Sequence, residues 1–380
     1  MSSCTDLKRP LLASLLLSAL AGCGKMSNVT RGAGFGINLA GAEFGALRPD
    51  FSNANAGTHG TDYFFPSRDA MVYYANRGIS LLRVPLSWER LQPRLGEQLD
   101  PGYLARILEC LDHASQLDCS VVLDVHNYGR YRLQRGDRVE ELIVADQRRK
   151  QSELDSSFLV DLWLRLSDHV RGHPAVTAYG LMNEPHDMAG ADWHATSNKV
   201  VSALRGAGDQ TWIWVAGDAW SSAEKWNRYN PPRPWVHDDL GRIAYEAHVY
   251  FDANGSGKYE RSYAEETRLD PRTAHRGRER MQPFLEWCDR NSAVGVIGEF
   301  GVPWSDPGWM PVLEEFLMEV RRHDIKACAW AGGDYWGDYP LSLQARDGQD
   351  VATLKRLAWH NSQSASPLMA RPPRPGPAGR

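Results

Sequence analysis

A chain of 380 residues, 42% hydrophobic and 24% charged, has the composition of a core-forming globular protein, and its length suits one large α/β unit. A formal net charge of −4 supplies no cationic field and argues against nucleic acid as a partner. Fourteen Trp beside fourteen Tyr is a heavy aromatic load, suited to stacking on sugar faces, although most such rings simply bury area in a core.

At the N-terminus, Lys8 and Arg9 precede an uncharged run from Leu11 to Ala21. The run is too short to span a bilayer but fits the apolar region of a cleaved secretory signal. Leu20-Ala21-Gly22-Cys23 resembles the lipobox of bacterial lipoproteins. The resemblance implies a lipidated Cys23 anchored in a membrane, with the folded domain beyond it. An ordinary signal with an incidental cysteine is the alternative. Residues 1–22 are read as the signal and 23–33 as a tether, so the protein is expected to be exported, either anchored to the bacterial outer membrane or secreted. Cys110, Cys119, Cys288 and Cys328 then remain. Either two disulfides form, with Cys110 and Cys119 closest in sequence, or all four are buried thiols; none has C-x-x-C spacing.

Beyond the tether, apolar β-type runs recur at 34–40, 80–86, 121–126, 178–184, 211–217, 243–249, 294–300 and 325–331. Amphipathic helical stretches at 101–116, 157–170, 193–206, 281–291 and 311–322 fall between them. Eight strands alternating with helices predict a parallel (β/α)8 TIM barrel as a single domain over 34–361. A doubly wound dinucleotide fold is excluded because the glycines of Gly34-Phe35-Gly36-Ile37 lie within a strand rather than ahead of a helix. Residues 41–63 and 251–276 are long connections that each follow a strand, so they are expected at the C-terminal rim. The Pro-rich end, 362–380, is expected to be disordered.

Chemistry concentrates where these strands end. Strands buried on both faces should remain apolar, yet Arg83, His126 with Asn127, Asn183 with Glu184, His248 with Tyr250, Glu299 and Trp330 all fall at or near strand C-termini, where a barrel builds its cleft. Glu184 and Glu299 end the fourth and seventh strands. Two carboxyl groups facing each other across a cleft are what glycoside hydrolysis needs, one to protonate the leaving oxygen and one to attack the anomeric carbon. A metal site built from His126, His186, His248 and Glu184 lacks any H-E-x-x-H spacing, so neither a metal nor a cofactor is expected.

Taken in order, Leu82-Arg83-Val84-Pro85, Asp124-Val125-His126-Asn127-Tyr128, Asn183-Glu184-Pro185, His248-Val249-Tyr250, Gly298-Glu299-Phe300-Gly301 and Ala329-Trp330 resemble the active-site motifs of glycoside hydrolase family 5. Asn-Glu-Pro alone occurs in several families; the ordered set, spread from Phe35 to His360, is specific. The resemblance implies a retaining hydrolase with Glu184 as acid/base and Glu299 as nucleophile. It further implies that Asn183 binds the sugar 2-OH, that Tyr250 and Arg83 attend the nucleophile, that His126 and His248 bind hydroxyls or orient the acid/base, and that Trp330 forms the floor at the cleaved bond. The openings Gly36-Ile37-Asn38-Leu39-Ala40-Gly41-Ala42-Glu43-Phe44 and Asp124–Tyr131 look like the endo-β-1,4-glucanase branch. The polysaccharide partner is then a β-1,4-glucan, with mannan or a self-produced exopolysaccharide as the alternative and a non-cleaving glycan-binding lipoprotein as a different class. Tyr131, Trp220, Trp304, Tyr335 and Trp336 are candidate stacking platforms or core packing, and a monomer is expected.

Overall fold

The computed structural model describes residues 34–148 and 152–364. The signal-like segment, Cys23 and positions 365–380 lie outside the described residues, and so do the expectations placed on them. Eight parallel strands form a closed barrel: β1 (Gly34–Leu39), β2 (Leu81–Leu86), β3 (Ser120–Val125), β4 (Val176–Gly180), β5 (Trp212–Ala216), β6 (Ile243–Tyr250), β7 (Val294–Gly301) and β8 (Lys326–Gly332). Consecutive strands are hydrogen-bonded neighbours, and β8 closes on β1 with Gly34 opposite Lys326. All eight expected strands are present, in the expected TIM-barrel arrangement.

The connecting helices bury one stripe against the strands. In the helix Pro101–Gln116, Tyr103, Ile107, Cys110, Leu111 and Ala114 face inward, at the spacing an amphipathic helix requires. Its start combines an Asp100 cap, accepting from the Tyr103 amide, with proline in the first turn. Asp155 and Asp192 cap the helices Ser156–Val170 and Trp193–Gly206 in the same manner. Inside the barrel, Val122, Ala178, Trp214, Ala244, Val296 and Cys328 form an apolar plug separate from the helix-facing core. Side chains repeat on one face every second residue, so the next inward positions above the plug include Asp124 and Glu246. Polarity therefore begins one layer below the rim.

The final helix, Ala352–Ser364, packs against β1. Its Asn361 accepts from the Phe35 amide (2.9 Å) and donates to the Phe35 carbonyl (2.8 Å) and the Gly78 carbonyl (2.9 Å). This helix carries ordered structure through residue 364, three residues into the segment expected to be disordered from 362.

Three further departures from the sequence reading have local causes. Strand β4 stops at Gly180 rather than 184, because the chain turns into an irregular segment in which Glu184 has a positive φ of 44°. A β-hairpin that was not anticipated, Arg130–Arg135 with Arg138–Ile143, follows β3 and turns through Gly136 and Asp137. The disulfide alternative is corrected: Cys110, Cys119, Cys288 and Cys328 are all free and buried. Among the described residues, no helix is long and apolar enough to cross a membrane.

Burial lifts the thiols of Cys110 and Cys328 to about 12 and that of Cys119 to about 11, leaving almost no thiolate to react. Alkylation of the native protein, followed by peptide mass spectrometry, should leave all four unmodified, with full labelling only in denaturant. Recovery of a Cys110–Cys119 cross-linked peptide would contradict this.

Candidate active site

Seven barrel elements deliver side chains to one cluster, and a single buried arginine joins most of them. Arg83 rises from β2 with no exposed surface. Its Nη1 donates to Asn38 Oδ1 on β1 (2.8 Å) and to Glu299 Oε1 on β7 (3.3 Å), and its Nη2 donates to Asn183 Oδ1 beyond β4 (2.8 Å). Nη2 also lies 3.0 Å from Asp124 Oδ1 on β3, and Nε lies 3.0 Å from Glu246 Oε1 on β6. Burial works against this charge, but the carboxylates of Asp124, Glu246 and Glu299 outweigh it, so the guanidinium stays protonated.

Above Arg83 stand the two glutamates. Tyr250 Oη donates to Glu299 Oε2 (2.8 Å), and His248 Nδ1 lies 2.6 Å from Glu184 Oε1 and 3.7 Å from Glu299 Oε2. One oxygen of Glu184, one of Glu299 and a ring nitrogen of His248 all lie within 4.8 Å of one another. The Glu184 side chain is 15% exposed and that of Glu299 only 6%, so Glu184 has the better access to solvent. Burial raises the Glu299 pKa; His248 opposes the rise, Glu184 adds to it, and Arg83 pulls it down again.

The register explains this convergence. Along β6 and β7, Ala247 pairs with Ile297 but His248 pairs with Glu299, so Gly298 is an extra residue. Such an irregularity re-aims the side chain that follows it. A Cβ at Gly298 would sit 1.8 Å from Glu246 Oε1, so only glycine fits there beside the buried carboxylate.

Two histidines repeat one motif with opposite outcomes. Asp124 and His126 lie two apart on and just beyond β3, with His126 Nδ1 2.9 Å from Asp124 Oδ2. Glu246 and His248 lie two apart on β6, with His248 Nε2 3.4 Å from Glu246 Oε1. For His126, burial dominates and lowers the pKa to about 4. For His248, burial also disfavours the charge, but Glu299, Glu184 and Glu246 together hold it up to about 10. The carboxylates diverge too. Burial raises Asp124, whereas for Glu246 the nearby Arg83 and His248 overcome burial and hold it low. At neutral pH one imidazole is uncharged and the other cationic.

Trp330 stacks on His126 at 5.3 Å and 19°, making one wall of the cluster. Asn183 directs Nδ2 toward His126 Nε2 (3.3 Å). On the Glu184 side, Trp220 is 46% exposed and stacks on His186, with Tyr128 edge-on to both. Trp336 packs on Tyr339 and against Trp330, while Tyr335 is half exposed and stacks on Phe64. Trp304 is covered on one face by the Arg346 guanidinium and donates Nε1 to the Tyr339 carbonyl.

Two expected contact residues are not available to a ligand. Asn127 is buried: Oδ1 accepts from the Trp88 amide (2.8 Å) and Nδ2 donates to Glu89 (2.7 Å) and to the Arg130 carbonyl (3.3 Å), so its whole amide is spent inside the fold. Tyr131 has no exposed surface, and its hydroxyl donates to the carbonyls of Gln92 and Pro93. Conversely, Asn38, Asp124 and Glu246 belong to the cluster and were passed over in the sequence. The signal was present, because Glu246, His248 and Tyr250 alternate along one face of an otherwise apolar strand.

In sequence and in fold the chain is similar to known proteins. The model for Cellulase (glycosyl hydrolase family 5) matches residues 34–336. A protein named probable endo-beta-1,4-glucanase B, from Aspergillus kawachii, is 29% identical over 89% of this chain and 94% of its own length. The Pseudomonas stutzeri endoglucanase Cel5A, crystallised with cellobiose, is 34% identical with a TM-score of 0.74, covering 86% of this chain and 92% of that one. The endo-beta-1,4-glucanase Xac0029 of Xanthomonas axonopodis pv. citri is 29% identical with a TM-score of 0.73, covering 88% and 100%.

The opposed histidines give a direct prediction. In a pH titration of 15N-labelled histidine followed by NMR, His126 should stay neutral down to about pH 4, and His248 should keep its second proton up to about pH 10. Two imidazoles titrating together near 6.5 would contradict the assignment.

Proposed function

The chain belongs to the cellulase family, glycosyl hydrolase family 5, and on that premise we propose that it is an endo-acting, retaining β-1,4-glucanase with Glu299 as nucleophile and Glu184 as acid/base. The observation that carries this reading is a distance. An oxygen of Glu184 and one of Glu299 lie within 4.8 Å, in keeping with the gap of about 5–5.5 Å that double displacement uses and far below the about 6.5–9.5 Å of inverting enzymes. The relatives named as endo-β-1,4-glucanases, and the endoglucanase crystallised with cellobiose, support a β-1,4-glucan as the polysaccharide.

In the first step Glu299 attacks the anomeric carbon while Glu184 delivers its proton to the departing oxygen. The glycosidic C–O bond breaks and a glycosyl ester forms on Glu299. Tyr250 and Arg83, both hydrogen-bonded to Glu299, stabilise the carboxylate until it attacks and again when it leaves. In the second step Glu184, now a carboxylate, takes a proton from water, which displaces Glu299 from the sugar. Asn183, fixed by Arg83, offers its amide N–H to the 2-OH of the sugar at the cleaved bond, and Trp330 supplies an apolar face beside it. On the leaving-group side, the exposed face of Trp220 is the stacking platform. The proposal includes export, with a lipid anchor at Cys23 supported by the lipobox-like stretch around it.

Glu299→Gln should abolish turnover of barley β-glucan and of an activated aryl cellobioside alike. Glu184→Gln should lose about 10²–10⁴-fold on the glucan but far less on the aryl glycoside, whose leaving group needs no proton. NMR should show the β-anomer as the first product. An α-anomer, or Glu299→Gln with wild-type turnover, would end the assignment. In fractionated bacterial cells, Cys23→Ser should move the protein from the membrane to the soluble fraction; an unchanged distribution would remove the anchor.

A further inference from the structure

Glu246 is a costly residue with no role yet assigned. It is fully buried, its Oε2 accepts no hydrogen bond, and it demands glycine at position 298. An unsatisfied buried carboxylate oxygen is destabilising and calls for a reason. Neutralising Arg83 is an insufficient one, because Asp124 and Glu299 already contact that guanidinium. The other neighbour of Glu246 is the His248 ring, whose Nε2 faces it while Nδ1 faces Glu184. A line of three groups results, running from the barrel interior to the more accessible glutamate.

We propose that Glu246 is a positioning residue for the acid step: held by Arg83 beside Gly298, it fixes the His248 ring through Nε2 so that Nδ1 presents a proton to Glu184. This rests on the reading of Glu184 as the acid/base. The proton accounting is simple. As Glu184 takes up the proton, the His248 Nδ1–H bond breaks, a Glu184 O–H bond forms, and His248 becomes neutral while keeping its Nε2 proton against Glu246. The charged groups around His248 come from every adjoining element. They are Glu184 beyond β4, Glu299 on β7, and Asp124 and His126 from β3, with Arg83 from β2 behind Glu246 on its own strand. Of these, Glu246 is the one that engages the far ring nitrogen, which makes its charge the lever on the ring's orientation and proton. The paired Asp124 and His126 make a useful contrast: the far nitrogen of that imidazole faces Asn183 and Tyr128 rather than a carboxylate, and the ring stays neutral.

The test compares wild type with Glu246→Gln, which keeps the shape and removes the charge, on barley β-glucan and on dinitrophenyl β-cellobioside. The expected result is a loss of kcat of about tenfold or more on the glucan and a much smaller loss on the aryl glycoside. The basic limb of the glucan profile should also move down by about one pH unit, because the proton shared by His248 and Glu184 is then held less tightly. Glu246→Asp, which keeps the charge, should leave that limb near its wild-type position. Equal losses on both substrates with an unmoved limb would overturn the proposal and leave Glu246 as a packing counterion. If Glu246→Gln does not fold, the wild type carries the test: a hydrogen-bonded His248 Nε2–H resonance at neutral pH is expected, and an unprotonated Nε2 overturns it. Failure of the underlying reading would look different, as a wild-type enzyme that cleaves neither substrate or a Glu299→Gln variant that still cleaves both.

Discussion

A guanidinium with no access to water would be prohibitively unstable unless it were surrounded by opposite charge, and Arg83 is surrounded on every side the barrel offers. It touches residues from β1, β3, β6 and β7 and from the segment after β4. Its planar fork suits this duty in a way a lysine ammonium would not, because its three nitrogens reach groups on five elements in fixed directions. Arg83 thereby sets the relative positions of Glu299 and Asn183, two groups 116 residues apart in sequence numbering. Three carboxylates around one arginine leave an excess of negative charge, and His248 balances it by remaining protonated. The electrostatics of the cluster thus act as one unit.

Backbone irregularity does the rest of the aiming. A regular strand would carry residues past the rim in strict alternation. The extra residue at Gly298 and the left-handed conformation of Glu184 break that regularity at the two positions where a carboxylate must turn toward its counterpart. Tyr128, Ala219, Trp220 and Ser221 also have positive φ, so the loops beside Glu184 concentrate conformations that L-residues seldom adopt. Such residues persist where the surrounding structure over-determines them, and they cluster at functional sites.

What could be read from the sequence, and what could not, follows from the same physics. Eight apolar runs separated by amphipathic segments announce a barrel, and polar residues at the ends of those runs announce a cleft. Asp124 and Glu246 were missed because they lie one layer deeper, where a single polar letter inside an apolar run is easily taken for a structural oddity. Asn127 was misjudged by adjacency. It follows His126 directly, and neighbouring residues in extended chain face opposite ways, so one reaches the cleft and the other the fold's interior. Tyr131 was misplaced because the hairpin that buries it was not anticipated. Its signal was a Gly136-Asp137 pair between two charged, alternating segments, which is the usual form of a two-residue hairpin turn. The cysteines were undecidable from spacing, since pairing depends on where helices and strands put them.

The clasp between Asn361 and Phe35 has a consequence for how the molecule is made. A ribosome delivers β1 first and β8 and the last helix much later, so the β8-facing edge of β1 has no partner until nearly the whole barrel has been synthesised. Closure therefore waits on the C-terminal part of the barrel. Throughout elongation the nascent sheet presents open edges, the condition under which chains seek the wrong neighbour. A truncation just before Asn361 would leave the cleft residues intact on paper and the first strand without its clasp.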